Sequence, residues 1–501
     1  MKRISLLLFF VFGLLKTNAQ ILYSDYSDPD VCEGGQGDYW LTASSFQCSP
    51  GLPILHSTDL QHWQLVNYAI DVVPTPAYDP FTQLGSHHGK GVWAPSIRRH
   101  NDTYYIYWGD PDQGVFMVET KDPAGRWSQP VLVVAGKGII DPCPLWDEDG
   151  RVYLVNGWAA SRCGFNSVLT MRELSADGTR AISQPTLVYD GQVEGNHTVE
   201  GPKLYKHDGY YYILAPAGGV EKGWQIALRS KNVYGPYESK VVFNHEGIHQ
   251  GGWVADSFVC FQERTAYGRI LHLLDVKMKD GWPMMSLGKR DKPQSLVYQA
   301  SPYQWHTNYQ ESFGFPLSSV SPLYPNAMRI YGYNVSPSFR NCWEVPNLYL
   351  RKLDGEVFCD TLLLRITAKS NGQQSGFIIM GRDYCRLSAE LRDGQFLISK
   401  CTCKDAEKDN EEQVELLATI PARRYGAGAK TNYECYLTVA LHCEKMALCH
   451  ISYCADQSGK FQSAGSFQAR EGKWIGAKYG AFSIAPNGSD KGWVDVVLIP
   501  T

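Results

Sequence analysis

Three carboxylates stand out by their settings. Asp28 lies in Ser27-Asp28-Pro29-Asp30, Asp141 in Gly138-Ile139-Ile140-Asp141-Pro142 and Glu200 in Val199-Glu200-Gly201-Pro202. Each is flanked by Pro or Gly and stands just ahead of a strand-like segment. A single Asp-Pro usually marks nothing more than a turn. Three acids at matching points of a repeat would converge if the repeat closes on itself. Converging carboxylates suit hydrolysis of a glycosidic bond: one stays ionised to activate water, and another stays protonated to donate to the leaving oxygen. A third negative charge nearby raises the pKa of the acid and holds its proton. An inverting site sets base and acid roughly 6.5–9.5 Å apart to admit the water, whereas a retaining site sets its nucleophile near 5–5.5 Å from the acid.

The elements that would position these groups recur. An aromatic strand signal follows a polar turn in Asp38-Tyr39-Trp40-Leu41-Thr42, Thr103-Tyr104-Tyr105-Ile106-Tyr107, Arg151-Val152-Tyr153-Leu154-Val155, Tyr210-Tyr211-Tyr212-Ile213-Leu214 and Arg269-Ile270-Leu271-His272-Leu273. Turn pairs precede several of them: Asn101-Asp102, Asp149-Gly150 and Asp208-Gly209. A strand-built unit repeating about every 60 residues predicts propeller blades, five of them over 22–305. The first strand of each blade would line a central channel, with the three acids at one end. An irregular β-sandwich with coincidental spacing is the competing architecture. Beyond about residue 305 the period is lost while alternation continues, as in Gly376-Phe377-Ile378-Ile379-Met380 and Tyr436-Leu437-Thr438-Val439-Ala440. Residues 306–501 therefore read as a separate β-sandwich. The charged run from Lys404 to Glu415 reads as a solvated loop, and no long amphipathic helix is evident.

Composition narrows the classes. Among 501 residues, 44% are hydrophobic and 20% charged, which argues against disorder. The formal net charge of -4 offers no basic surplus for phosphate contacts, so nucleic acid is not an expected partner. The 30 Tyr and 14 Trp suit stacking on sugar C–H faces, and equally suit packing within sheets. Five of the 14 Cys precede residue 300 and nine follow it, so each half keeps an unpaired thiol unless a bond crosses between them. Cys401-Thr402-Cys403 lacks a partner pair at zinc spacing, and no metal ligand set is expected. Residues 1–19 carry Lys2 and Arg3, an apolar run from Ile4 to Leu15, and Thr17-Asn18-Ala19. This is the pattern of a secretory signal cleaved after Ala19, too short to span a bilayer. Export to the periplasm or the medium is the expectation, with no membrane association once the signal is removed; a short membrane anchor is the alternative.

Taken together, these residues resemble glycoside hydrolase family 43, in its β-xylosidase and α-L-arabinofuranosidase-like branch. The likeness also rests on Ser44-Ser45-Phe46, on Pro50-Gly51-Leu52-Pro53-Ile54, on His56-Ser57-Thr58-Asp59-Leu60 and on Gly91-Val92-Trp93-Ala94-Pro95. The resemblance implies a five-bladed β-propeller followed by a concanavalin-like β-sandwich, an all-β chain. It implies Asp28 as general base, Glu200 as general acid, and Asp141 as the residue that tunes the acid and orients substrate. Phe46, Trp93 and Trp158 resemble aromatic walls of a sugar pocket. Arg269 resembles a binder of substrate hydroxyls, its donor fork suited to a vicinal diol. His249, in Ile248-His249-Gln250-Gly251-Gly252, resembles a channel-centre residue; a hydrogen-bonded core role fits it equally. No cofactor is implied. In some relatives that His faces a calcium or a water cluster, although calcium prefers oxygen ligands. Asn341-Cys342-Trp343-Glu344-Val345-Pro346-Asn347 and Ile379-Met380-Gly381-Arg382-Asp383-Tyr384 resemble the attached sandwich, which in relatives lends a residue to the pocket rim. One departure is an apparent shortening between Trp253 and Tyr267, which suggests a trimmed strand or loop in the fifth blade.

The expectation is an exported, exo-acting, inverting hydrolase releasing a terminal pentose, β-D-xylose or α-L-arabinofuranose, from plant cell-wall oligosaccharides. Two alternatives stand beside it: a non-catalytic carbohydrate-binding propeller, and a retaining hydrolase of the fructan or sucrose type.

Overall fold

The structure is a computed structural model that describes residues 20–74, 88–288, 297–298, 306–307, 318–322, 327–426, 431–455 and 459–500. The leader expected over 1–19 lies outside them, as do most residues around the expected 305/306 boundary.

Five antiparallel sheets form the propeller. Blade one comprises Asp30–Glu33, Tyr39–Thr42, Gly51–Ser57 and Gln64–Ile70; blade two comprises Trp93–His100, Thr103–Asp110, Gly114–Thr120 and Val131–Ala135. Blade three runs through Ile139–Trp146, Val152–Trp158, Val168–Leu174 and Thr186–Asp190, and blade four through Lys203–His207, Tyr210–Ala217, Trp224–Ser230 and Glu238–Phe243. Blade five uses Ile248–Val254, Ser257–Glu263 and Arg269–Lys279, whose outer edge pairs with Trp282–Leu287 and with the N-terminal Gln20–Leu22. A strand from the start of the chain thus closes the ring onto its last blade.

Five apolar clusters fill the five seams. Trp40, Ile54, Ile97 and Trp108 join blades one and two. Tyr107, Val134, Ile139 and Leu154 join two and three. Val155, Leu169, Leu204 and Ile213 join three and four. Leu214, Ala227, Phe258 and Leu274 join four and five. Leu22, Val31, Leu41 and Leu271 join five back to one. Because strand side chains alternate between faces, each blade presents one apolar face to each neighbour.

The aromatic signals of the first four blades fall on their second strands, but Arg269–Lys279 is the third strand of blade five. The second is Ser257–Glu263, reached from Val254 through Ala255-Asp256, with Ala255 at φ 50°. The shortening before Tyr267 therefore removes no strand; the turn is simply tight.

The C-terminal part is a sandwich of two eight-stranded sheets. One is built around Lys478–Pro486 and Gln374–Met380, the other around Phe358–Ala368 and Asn432–Glu444. They enclose a core containing Leu364, Phe377, Leu387, Leu437 and Tyr479, all 0% exposed. The charged run 404–415 is not wholly solvated. Glu412 turns inward and takes a two-pronged bond from buried Arg386, at 2.7 and 2.6 Å. All fourteen cysteines are thiols. No helix among the described residues is long and apolar enough to cross a membrane.

Candidate active site

The inner strands do not run straight into the channel mouth. Pairing slips at Trp93/Ser96 in blade two, at Ile140/Cys143 in blade three and at His249/Gly251 in blade five. Each slip is a β-bulge, one extra residue that re-aims a side chain. The bulged residues Ala94, Asp141 and Gln250 have φ of 33°, 56° and 51°. Asp28 (52°), Phe46 (52°) and Trp474 (68°) share this left-handed backbone. These six are among the eleven residues lining one cavity of about 100 Å³; Trp93, Ile140, Glu200, Val220 and Arg269 complete it. Non-glycine residues at positive φ cost about 1–3 kcal/mol each and persist only where surrounding structure over-determines them. Here the surrounding seams do so.

Asp28 is 6% exposed and its two oxygens are taken. Arg269 Nη1 donates to Oδ1 at 2.7 Å, and Ser44 Oγ to Oδ2 at 2.6 Å. Ser44 Oγ in turn accepts the Ala94 amide at 2.7 Å, tying blade one to the bulge of blade two. Arg269 is itself buried, with Nε 3.5 Å from Glu263 and its amide donating to Asp25 at 2.9 Å. Burial pushes the Glu263 carboxyl up to about 7, against the opposing pull of Arg269.

Asp141 and Glu200 are neighbours. The Gly201 amide donates to Asp141 Oδ2 at 2.7 Å. A methyl group on Gly157 would sit 3.6 Å from both that oxygen and Glu200 Cα, in ordinary contact with both acids. Burial raises both carboxyls. The Gly201 hydrogen bond opposes the rise at Asp141, as do the charges of Lys203 and Arg269, while the Asp28 charge adds to it. At Glu200 the charges of Asp141 and Asp28 reinforce burial and push it up to about 8. Among the described residues none donates to the Glu200 carboxyl. Of the two, Asp141 therefore ionises first and Glu200 keeps the proton.

The expected residues divide. Asp28, Asp141, Glu200, Phe46, Trp93 and Arg269 meet at the cavity. Trp158 does not line it: its indole donates to Thr170 Oγ1 at 3.1 Å and its ring lies 5.0 Å from Phe165. His249 also stands behind the wall, 1% exposed, with Nε2 3.0 Å from the Gly219 carbonyl and Phe261 edge-on at 5.1 Å. Burial lowers its pKa, and the neutral ring sits in the core. A single carbonyl beside a neutral imidazole is not the oxygen cage that calcium takes, and no group of three or more His, Cys, Asp or Glu among the described residues could hold a metal.

Sequence reasoning missed Ser44, Val220, Gln250 and, above all, Trp474. Trp474 comes from the sandwich, in Gly472-Lys473-Trp474-Ile475-Gly476, and stands edge-on to Trp93 at 6.4 Å with Arg269 6.0 Å from its ring. Its loop is anchored. Ile475 packs on Phe46 and Cys48, Gly476 donates its amide to Asp25 at 2.9 Å, and the Ala477 amide donates to the Ala266 carbonyl at 2.7 Å. Exposed tryptophan inside a Gly-rich turn was the available signal.

A five-bladed propeller carrying a three-carboxylate, aromatic-walled pocket roofed by an appended sandwich is a sugar-hydrolase type of architecture. Residues 18–283 match Glycosyl hydrolases family 43, and residues 302–498 match the Beta xylosidase C-terminal Concanavalin A-like domain. The chain belongs to glycosyl hydrolases family 43. It is 35% identical over 271 residues to a putative beta-xylosidase of Xylanibacter ruminicola, covering 52% of this chain and 49% of that one. It is 31% identical over 323 residues to a non-reducing end alpha-L-arabinofuranosidase of Bacteroides ovatus, covering 56% and 58%. The matched region thus spans about half the length of these curated relatives. A xylan beta-1,4-xylosidase structure from Bacillus halodurans superposes with a TM-score of 0.77 at 19% identity, over 96% of this chain and 99% of that chain. This likeness extends the shared fold across both domains.

Proposed function

We propose that this protein is an exported, exo-acting, inverting glycosidase that releases a terminal pentose, β-D-xylose or α-L-arabinofuranose, from plant-type oligosaccharides. The observation that carries the reading is the asymmetry of the carboxylates. Asp28 holds two charge-favouring donors and faces the cavity as a carboxylate ready to accept a proton from water. Glu200 has no donor among the described residues, stands half-buried beside two acids and retains a proton to give to the leaving oxygen. Asp141 holds the acid's pKa up. Arg269, already bonded to Asp28, offers remaining N–H groups to sugar hydroxyls, while Phe46, Trp93 and Trp474 give apolar faces. The roof formed by Trp474 favours a pocket that admits one terminal residue. Proton transfer between side chains and water accounts for the reaction without a cofactor, so turnover should survive dialysis against EDTA. The N-terminal pattern of 1–19 supports export.

The testing experiment is hydrolysis of p-nitrophenyl β-D-xylopyranoside and p-nitrophenyl α-L-arabinofuranoside, with proton NMR of the first-formed sugar. Turnover with inverted anomeric configuration is expected. Retention would favour the nucleophilic mechanism of the fructan type, and absence of turnover on both would favour a binding propeller.

A further inference from the structure

The second and third strands of blade three are joined on the carboxylate side of the propeller by residues 159–167, and this loop is fastened at both ends. In its one-turn helix Ala160–Cys163, Arg162 pairs with Asp112 at 2.8 Å and lies 5.8 Å from the centre of the Trp93 ring. At the other end Ser167 Oγ accepts the Thr198 amide at 2.7 Å, two residues before Glu200, and the Ser167 carbonyl accepts the Gly191 amide at 2.8 Å. The loop therefore bridges from a wall of the pocket to the approach of the proton donor. Phe165 projects from it, 45% exposed, and is backed by Trp158. Trp158 directly follows Gly157, the residue whose open Cα faces Asp141 and Glu200.

The proton donor fixes which way a leaving group departs, because the atom it protonates is the oxygen that joins the two sugars and leaves with the second. Whatever is attached beyond that oxygen must lie on Glu200's side of the pocket, where the loop stands. An aromatic face held on a rigid loop stacks on a sugar without a large ordering cost. We propose that Phe165, supported by Trp158, is the stacking platform for the pyranose on the leaving-group side, and so determines preference for oligosaccharides over simple glycosides. The tryptophan that the sequence suggests as a pocket wall then acts as the backing of this platform.

The inference rests on Glu200 being the general acid, and the test separates the two. The kcat/KM on xylobiose and on β-D-xylosyl fluoride is measured for the wild type, Phe165→Ala and Phe165→Tyr; the fluoride carries no sugar leaving group. The ratio of xylobiose to fluoride is expected to fall about tenfold in Phe165→Ala, equivalent to about 1.4 kcal/mol, and to be restored in Phe165→Tyr. An unchanged ratio, or an equal loss on both substrates, overturns the platform while leaving the proposed function intact. A wild type that turns over only arabinofuranosides is tested in the same way on arabinofuranosyl-xylobiose and α-L-arabinofuranosyl fluoride, and a wild type inert on all four substrates overturns the proposed function and this inference with it.

Discussion

Replacing Asp141 by Asn removes one negative charge beside Glu200 while keeping an oxygen that can accept the Gly201 amide. The two groups are held close through the backbone. Asp141 Oδ2 lies 2.7 Å from the Gly201 nitrogen, which standard backbone dimensions set about 2.4 Å from Glu200 Cα. With the Glu200 backbone this close, a carboxyl separation on the order of 6 Å serves as the working distance. At an effective dielectric of about 20 that distance gives an interaction of roughly 2.8 kcal/mol, and solvent in the open cavity lowers it toward half. The apparent pKa of the acid should fall by about 1 to 2. In the wild type the acid is raised to about 8, so activity that requires its proton is retained through neutral pH and lost above that value. In Asp141→Asn the basic limb of the kcat/KM profile should move to about pH 6–7. The assay is a pH–rate profile on p-nitrophenyl β-D-xylopyranoside or the arabinofuranoside, whichever is turned over, with thermal unfolding alongside. A basic limb that stays in place in a folded, active variant refutes the electrostatic role and leaves Asp141 as a shaper of the Pro142 bulge.

Other perturbations separate the remaining roles. Asp28→Asn should lose turnover on every substrate, whereas Glu200→Gln should lose xylobiose hydrolysis yet keep p-nitrophenyl substrates, whose leaving group needs little protonation; parallel assays of the two variants decide. Trp474→Ala should raise KM about five- to tenfold with kcat little changed, because a roof that contacts the sugar in ground and transition states alike contributes uniform binding. Its 47% exposure predicts an unchanged melting temperature in the same preparation. Asp25→Ala strands the buried amides of Arg269 and Gly476 at about 1–3 kcal/mol each, so thermal unfolding should begin several degrees earlier; an unmoved transition would mean that the joint between propeller and sandwich does not depend on this carboxylate.

The parts legible in the sequence were those carried by local chemistry. Turn pairs such as Asp208-Gly209, with φ of 48° and 72°, and the aromatic strands after them disclose blades because both signals lie within a few residues. Asp141-Pro142 and Ala94-Pro95 disclose channel-mouth positions because Pro cannot donate into a ladder and so marks a bulge. Glu263 escaped because nothing near it in the chain reveals that it faces Arg269. Trp474 reaches the pocket only through the docking of a second domain more than two hundred residues beyond Glu200. Trp158 misled because its neighbour Gly157, paired with Ile140, occupies the place beside the acids. Of the two places open to His249 the structure has the core one: the bulge after it turns Gln250, not the imidazole, toward the cavity.

The bulges have a consequence for how such a pocket can change. Below each slip, strict alternation commits every side chain of an inner strand to a seam or to the channel, so a substitution there is felt by two blades at once. Above the slip the register changes, although neighbours such as Ile139 and Ile248 still pack in the seams. Ala94 and Gln250 stand at such slips outside the clusters that hold Ile97, Leu154 and Phe258. At these bulged positions a change of side chain disturbs the seams less than one further along the strand, so new sugar preferences can be tried at the mouth while most of the packing beneath stays the same.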